Sequence, residues 1–472
     1  MPTSPAQSFE ISAWPKMDRL KKFLEPSQAY TPVNDAADPN ISDHEDEASS
    51  ETLEADIVAP FSWLEYSIFL LLGVAMLWAW NMFLAAAPYF QSRFKDSDWI
   101  YNHFQAAEIS VSTITNLGSM IVLSKLQQNA SYPKRIAVAL IINAVCFSVL
   151  AISTLIKSSA AAYFGFLLVA IFAASLSTGL IQNGVFAFAS GFGRAEYTQG
   201  IMTGQAVAGV LPPLTQIISV VVASKPTDKA EAEAASNKSA CIYFIVAVVV
   251  SVLALSAFVY LLRRHGQAEA LQSAKHATIH GADEGDVLAS SHYSSASERT
   301  PVGLWTLFRK LPYLSAGVFV CFAVTMIGFP VFTAIIQSTS HIDNAVFIPL
   351  AFLFWNIGDL IGRLITISPK LSLTHYPFAL FSISMARLIF VPLYFLCNIK
   401  GRGAVVSSDF FYLVVVQLFY GLTNGYVGSE CMMGAGEWVE PEEREATGGF
   451  MGLMLVGGLT AGSLLSFALG DV

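Results

Sequence analysis

Eleven apolar stretches, at roughly 64–90, 104–126, 135–157, 161–190, 198–223, 240–262, 313–338, 344–367, 377–397, 408–431 and 448–470, leave this chain little choice of fold. Each is close to the ~20 residues a helix needs to cross the hydrocarbon core of a bilayer. The bilayer offers no water to backbone N–H and C=O groups, so such stretches cross it as helices, whose backbone bonds close internally. The expected fold class is therefore an all-α integral membrane protein with eleven transmembrane helices. With 54% hydrophobic and only 13% charged residues, and a mean hydropathy of +0.55, the composition excludes a water-soluble domain of this length.

Polar segments divide the chain. Residues 1–62 hold few apolar side chains and an acidic run, Ser42-Asp43-His44-Glu45-Asp46-Glu47, and cannot bury enough surface to offset chain entropy. They are expected to be a disordered cytosolic tail. Residues 63–263 then form an N-terminal six-helix bundle, 264–311 a cytosolic linker loop, and 312–472 a C-terminal five-helix bundle. Basic residues flanking loops on one side (Lys125, Lys134, Arg135, Arg263, Arg264, Arg309 and Lys310), against Arg93, Lys95, Lys157, Lys400 and Arg402 on the other, put the amino terminus in the cytosol and, with an odd span count, Val472 outside or in a lumen; the bias is modest, because Lys225, Lys229 and Lys238 fall on the opposite side. Much of the net charge of −9 comes from the tail, so it gives no reason to expect a nucleic-acid partner. The tail also carries Tyr30-Thr31-Pro32-Val33, which fits a tyrosine-type sorting signal.

Several chemistries are not encoded. Five cysteines in or beside apolar runs, without paired spacing, suggest neither a disulfide framework nor a metal site. His276 and His280 stand four apart but lack a third ligand. No phosphate loop, His-Glu-x-x-His or nucleophile elbow is present, and Asp359 has no second intramembrane aspartate to make a protease. We expect no metal, no cofactor and no enzyme.

The polar groups inside the spans carry the functional signal. Asp359 and Arg363 lie four residues apart within the apolar run from Val346 to Ile367, with Asn356 three residues before the aspartate, so all three project from roughly one helix face. A charge at mid-bilayer costs at least about 3 kcal/mol on insertion scales, so that face looks into protein or a watery cavity. One reading is a polar substrate site; the other is an ion pair that only pins this helix to a neighbour. Further polar groups recur in most spans: Asn81, Gln182 and Asn183, the Thr198 to Gln205 segment, Arg387, and Asn424 with Glu430. A structural bridge needs two partners, whereas donors and acceptors spread over both halves suit a hydrated central cavity. Glu108 and Glu430 are carboxyls in apolar surroundings and are the candidate proton-coupling groups.

Several of these segments together resemble the equilibrative nucleoside transporter family: Trp80-Asn81-Met82-Phe83, Tyr197-Thr198 to Gly204-Gln205, Asn356 to Arg363, Arg387 with Phe390-Val391-Pro392-Leu393, and Asn424-Gly425-Tyr426 with Cys431-Met432-Met433. The likeness covers the whole membrane part in order. It implies a major-facilitator-like arrangement of six helices plus five, rocking around a central site by alternating access. It implies nucleosides as substrates, with nucleobases also open, moved by facilitated diffusion or coupled to protons. Asp359 and Arg363 would bind the ribose hydroxyls, with Asn356 beside them; Gln182 would reach the base; Trp80, Leu84, Phe329 and Leu455 would form apolar and aromatic walls. Two departures stand out: Ala79 where a proline commonly precedes the Trp-Asn pair, and Glu430 where the family more often has an apolar residue. A sugar or polyol transporter would use Asp359 and Arg363 equally well, and a non-transporting receptor or scaffold is the alternative from another class. The tail signal, with family members that serve acidic organelles, favours a vacuolar or lysosomal membrane over the plasma membrane.

Overall fold

A computed structural model describes residues 60–127, 130–222, 229–280, 302–340 and 342–469. Residues 1–59 of the expected tail, including the Tyr30 motif, lie outside the described residues, as does part of the expected linker. The described chain is helical. Its main helices are α1 (Trp63–Ala85), α2 (Asp98–Lys125), α3 (Tyr132–Ser153), α4 (Ala160–Gly191), α5 (Ala195–Val222), α6 (Lys229–His280), α7 (Pro312–Gly328), α8 (Asn344–Ile365), α9 (Pro377–Ala386), α10 (Phe419–Gly434) and α11 (Arg444–Leu469).

Among the described residues, ten helices are long and apolar enough to cross a membrane. The expected eleventh, at 408–431, is a composite: a π-helical segment, Phe411–Leu418, runs directly into α10. Other ends differ from the apolar pattern for local reasons. The first span breaks at Ala86, just ahead of Pro88, and resumes as Ala87–Arg93. The α7 helix stops at Gly328, because Phe329 is extended before Pro330, and restarts at Val331–Ile335. Helix α6 continues past Arg264 to His280, into the segment expected as linker. Three of the helix starts follow capping chemistry: the Asp343 carboxylate accepts from the Ala345 N–H at α8, and Pro377 and Pro312 occupy first turns where no N–H is needed.

The packing repeats. Helix α1 packs along α5 as α7 packs along α11, and α2 lies on α4 as α8 lies on α10. The two halves meet through α2 on α11 and, correspondingly, α5 on α8, with α4 on α11 and α5 on α10 adding to the seam. An offset of six helices therefore maps one half onto the other, so that two repeats meet at a central seam.

Helix α8 is held against α10 by backbone proximity. A β-carbon on Gly358 would fall 2.1 Å from the Leu418 carbonyl oxygen, and one on Gly425 would fall 1.9 Å from that of Asp359. Gly358 and Gly362 face Gly421 and Gly425, two small-xxx-small pairs that let the helix backbones touch. This close approach fixes the height and rotation of Asp359 relative to α10.

Candidate functional site

Helix α8 carries the pair that the sequence singled out, and the pair is closed. Arg363 Nε donates to Asp359 Oδ2 at 2.8 Å, and the two residues are 4% and 3% exposed. Neither faces lipid. Arg363 Nη1 donates across the seam to the Met202 carbonyl of α5 at 2.6 Å and to Gln205 Oε1 at 3.3 Å. The Arg363 carbonyl accepts from Gln199 Nε2 at 2.9 Å, so α5 and α8 are laced together over two turns. On the other side, Asn424 Nδ2 of α10 donates to Asp359 Oδ1 at 2.7 Å. Each carboxylate oxygen thus accepts one of these bonds and keeps capacity for another.

Behind Asn424 lies a second buried cation. Arg387, 1% exposed, sits in a short 3-10 turn after α9 and contacts only neutral groups in this network: Thr325 Oγ1 at 2.8 Å, Thr423 Oγ1 at 3.2 Å, Cys321 Sγ at 3.0 Å, the Cys321 and Tyr420 carbonyls, and the Tyr420 ring, 4.9 Å away. Thr325 Oγ1 in turn lies 2.7 Å from Asn424 Oδ1. A continuous polar chain therefore runs from Arg387 through Thr325, Asn424 and Asp359 to Arg363 and Gln205.

The other expected site residues fall into separate groups. Asn356 turns back on its own helix, donating to the Phe352 carbonyl at 2.8 Å, and lies against Gly209 of α5. It therefore shares the α5 seam with Arg363 without touching the ion pair in the bonds observed. Phe329 stacks on Trp355 with ring centroids 4.0 Å apart and also meets Phe352, giving an aromatic wall one turn from Asp359. Trp80 is half-buried on α1, and Leu84, one turn on, is exposed. Gln182 and Leu455 are buried on α4 and α11, where Gly452 brings the two helices into contact beside the Gln182 backbone.

The carboxyls expected to couple protons differ in their surroundings. Glu108 is buried on α2 with Oε1 unbonded among the described residues. Glu430 spends Oε2 on the Leu373 N–H, at 2.7 Å, and the Ser372 hydroxyl, at 2.9 Å, which ties α10 to the connection after α8. At the same end of the molecule a cavity of about 370 Å³ opens between the halves, lined in part by Arg194, Thr366, His375, Glu437 and Arg444. Burial pushes the Glu437 carboxyl above its ordinary range and Glu196 adds to that, while Thr374 and His375 pull it back.

Sequence reasoning missed the backbone part of the site. Asn81 was legible as an amide needing an internal partner, but not which one: it donates to the Ala208 carbonyl at 2.7 Å. That carbonyl lacks its helical donor because Pro212 stands four residues on. The Met202 carbonyl and Thr325 carried no signal of their own.

Comparison with known proteins matches residues 168–470 to the nucleoside transporter family. The chain belongs to the nucleoside transporter family. Its function is accordingly nucleoside transport, not catalysis. The nucleoside transporter FUN26 of Saccharomyces cerevisiae is 29% identical over 91% of this chain and 88% of its own. Equilibrative nucleoside transporter 1 is 29% identical in Rattus norvegicus, over 85% of this chain and 96% of its own, and 26% identical in Homo sapiens, over 85% and 95%. Among solved structures, the major-facilitator proton:xylose symporter XylE superposes with a TM-score of 0.58 at 12% identity, covering 86% of this chain and 87% of its own. The human organic anion transporter MFSD10 gives 0.53 at 13%, covering 86% and 93%. These two likenesses establish the major-facilitator fold of this multi-pass membrane protein.

Proposed function

We propose that this transporter moves nucleosides by alternating access, with Asp359 and Arg363 holding the ribose. The observation that carries this reading is the position of the pair: buried on α8, yet bonded to α5 across the seam and to α10 within its own half. A vicinal diol offers donors to the carboxylate and acceptors to the guanidinium, so sugar hydroxyls can exchange for the Asp359–Arg363 and Arg363–Gln205 bonds at little net cost. Because Arg363 also bridges to Met202 and Gln205, the same exchange loosens the α5–α8 seam, coupling occupancy to rocking. Phe329 stacked with Trp355, together with Trp80, Leu84 and Leu455, supplies flat and apolar surface for the base, Gln182 its polar edge, and Asn356 a polar group one turn from the pair. Purine or pyrimidine nucleobases lacking the sugar would use the walls alone and bind more weakly.

In this reading facilitated diffusion needs no further device, and Glu108 is the residue through which protons would couple. The amino terminus, the 1–62 tail and the 264–311 linker lie in the cytosol, and the Tyr30 motif directs the protein to a vacuolar or lysosomal membrane.

The test compares binding of a nucleoside with its 2',3'-dideoxy analogue. The unaltered protein is expected to prefer the parent, and folded, membrane-inserted Asp359→Asn to lose most of that preference. The affinity ratio cancels any uniform loss of active protein. A variant that discriminates as sharply as the unaltered protein removes Asp359 from the sugar site; glucose competing as well as uridine would turn the reading toward a sugar transporter.

A further inference from the structure

Arg387 is a full positive charge in a dry place, and in its network it bonds to no carboxylate. A buried guanidinium satisfied only by hydroxyls, carbonyls, the Cys321 sulfur and a ring face is costly to keep, and packing alone does not call for one. What distinguishes its position is the chain of hydrogen bonds that leaves it. Arg387 Nη2 lies 2.8 Å from Thr325 Oγ1, Thr325 Oγ1 lies 2.7 Å from Asn424 Oδ1, and Asn424 Nδ2 lies 2.7 Å from Asp359 Oδ1.

The two ends of this chain are chemically one-directional. A guanidinium can only donate, and an ionised carboxylate can only accept. The groups between them can do either, so the ends decide. Arg387 takes a lone pair of the Thr325 oxygen, which leaves the single Thr325 hydrogen to be given. That hydrogen can go to the Asn424 amide oxygen or back to the Cys321 carbonyl of its own helix, 2.9 Å away. Cys321 O already accepts from Arg387 Nη1, so the hydrogen is better spent on Asn424. Asn424 then presents its NH₂ to Asp359.

We propose that Arg387 is a positioning residue for the sugar site, acting through Thr325 to hold the Asn424 amide with its NH₂ toward Asp359. The proposal rests on the reading of Asp359 as a ribose ligand. Asn424 holds Oδ1 of that carboxylate while Arg363 holds Oδ2, and the two together set the carboxylate plane against which a diol must fit. Without the donor-only end, the Thr325 hydroxyl can turn to its own backbone, the Asn424 oxygen keeps only the longer contact from the Cys321 thiol, at 3.6 Å, and the amide is freer to flip. A flipped amide points oxygen at oxygen and turns the carboxylate away. Arg387 itself is fixed for the task by the Tyr420 ring and the Thr423 hydroxyl, both on α10, the helix that carries Asn424. Arginine rather than lysine suits this place because a planar fork reaches Cys321, Thr325 and Tyr420 at once.

The test uses full-length protein in nanodiscs and the affinity ratio of uridine to 2',3'-dideoxyuridine. Thr325→Val keeps the shape, keeps Arg387 and removes only the relaying hydroxyl. We expect the ratio to fall by about threefold to tenfold, the size of one directional hydrogen bond. Thr325→Ser restores the hydroxyl and is expected to restore the ratio. Arg387→Gln is expected to fall as Thr325→Val does, and the double variant no further, since both break one chain. A structural role alone would lower thermal stability and leave the ratio unchanged in Thr325→Val, which would overturn the proposal. Asp359→Asn, run alongside, separates the two readings. If it loses discrimination while Thr325→Val keeps it, the sugar site stands and the relay falls; if the unaltered protein shows no preference for the hydroxyls, both fall.

Discussion

Helices α2 and α8 hold corresponding places in the two halves, each lying on the helix two further along and crossing the seam, yet they have been put to different uses. In its most apolar stretch α8 is 39% buried and α2 only 11%. The buried charge on α8 is a pair, with partners on α5 and α10 and a relay behind it. On α2 it is a single carboxyl, Glu108, with one oxygen unbonded among the described residues. The repeat supplies the scaffold for both; the side chains on it make one helix a hub and the other a sparsely buried helix with a lone acid. Fold symmetry in this protein does not extend to chemistry.

The sharpest way to break this contrast is to remove one partner of the pair. Arg363→Met strands the Asp359 carboxylate and is expected to cost about 3 to 5 kcal/mol of stability, against far less for any change at Glu108. The double variant Asp359→Asn with Arg363→Met should recover part of that loss, because no uncompensated charge remains. Thermal unfolding of purified protein in nanodiscs checks both. If Arg363→Met unfolds no earlier than Glu108→Gln, the pair is better solvated than its burial indicates and the contrast fails.

A second comparison concerns how tightly each helix is seated. On α10, a β-carbon at Gly425 meets the Asp359 carbonyl, which is backbone and cannot yield without moving α8. On α4, the counterpart of α10, a β-carbon at Gly179 comes 1.9 Å from the Ser119 hydroxyl, which can rotate away, and 3.0 Å from the Ser119 β-carbon, which must give by only a few tenths of an ångström. Gly425→Ala is therefore expected to cost about 1 to 3 kcal/mol and to displace Asp359 from Asn424, while Gly179→Ala costs less than about 1 kcal/mol. The first should also weaken nucleoside binding and the second should not. Equal effects on stability and binding would mean that the two crossings are equally adaptable.

Much of this was legible in the sequence because membrane chemistry is severe. Charges cannot face lipid, so Asp359 and Arg363 four residues apart in an apolar run had to meet each other or a cavity, and they do meet. The same logic required an internal partner for Asn81 and for Arg387. What it could not supply was the partner's identity, because the partners are backbone carbonyls or lie far along the chain. Asn81 takes the Ala208 oxygen freed by Pro212, and Arg387 takes Cys321 and Thr325 across the bundle. Helical spacing also placed Asn356 on the face of the pair, but its amide is spent on its own backbone, a choice that any asparagine in a helix has open to it. The break of the tenth span into π and α segments follows from no local residue signal that we can identify.

The smallest expected effect lies at Glu108, and it sharpens the contrast by asking whether the lone acid has a use. A carboxyl with an unbonded oxygen can take up a proton without giving up a hydrogen bond, and glutamine has nearly its shape and cannot titrate. Glu108→Gln is expected to change stability by less than about 1 kcal/mol and to leave net uptake of uridine into proteoliposomes intact. The informative variable is therefore pH. If Glu108 couples protons, uptake by the unaltered protein rises as the side it faces is acidified, and uptake by Glu108→Gln is flat over the same range. A buried amide on α2 would also be expected to leave the ribose preference untouched, since no bond in the chain from Arg387 to Gln205 involves α2. Uptake by the unaltered protein that ignores pH would remove the coupling role. Glu108 would then be a buried acid without a task, and α2 would differ from α8 even more than their burial suggests.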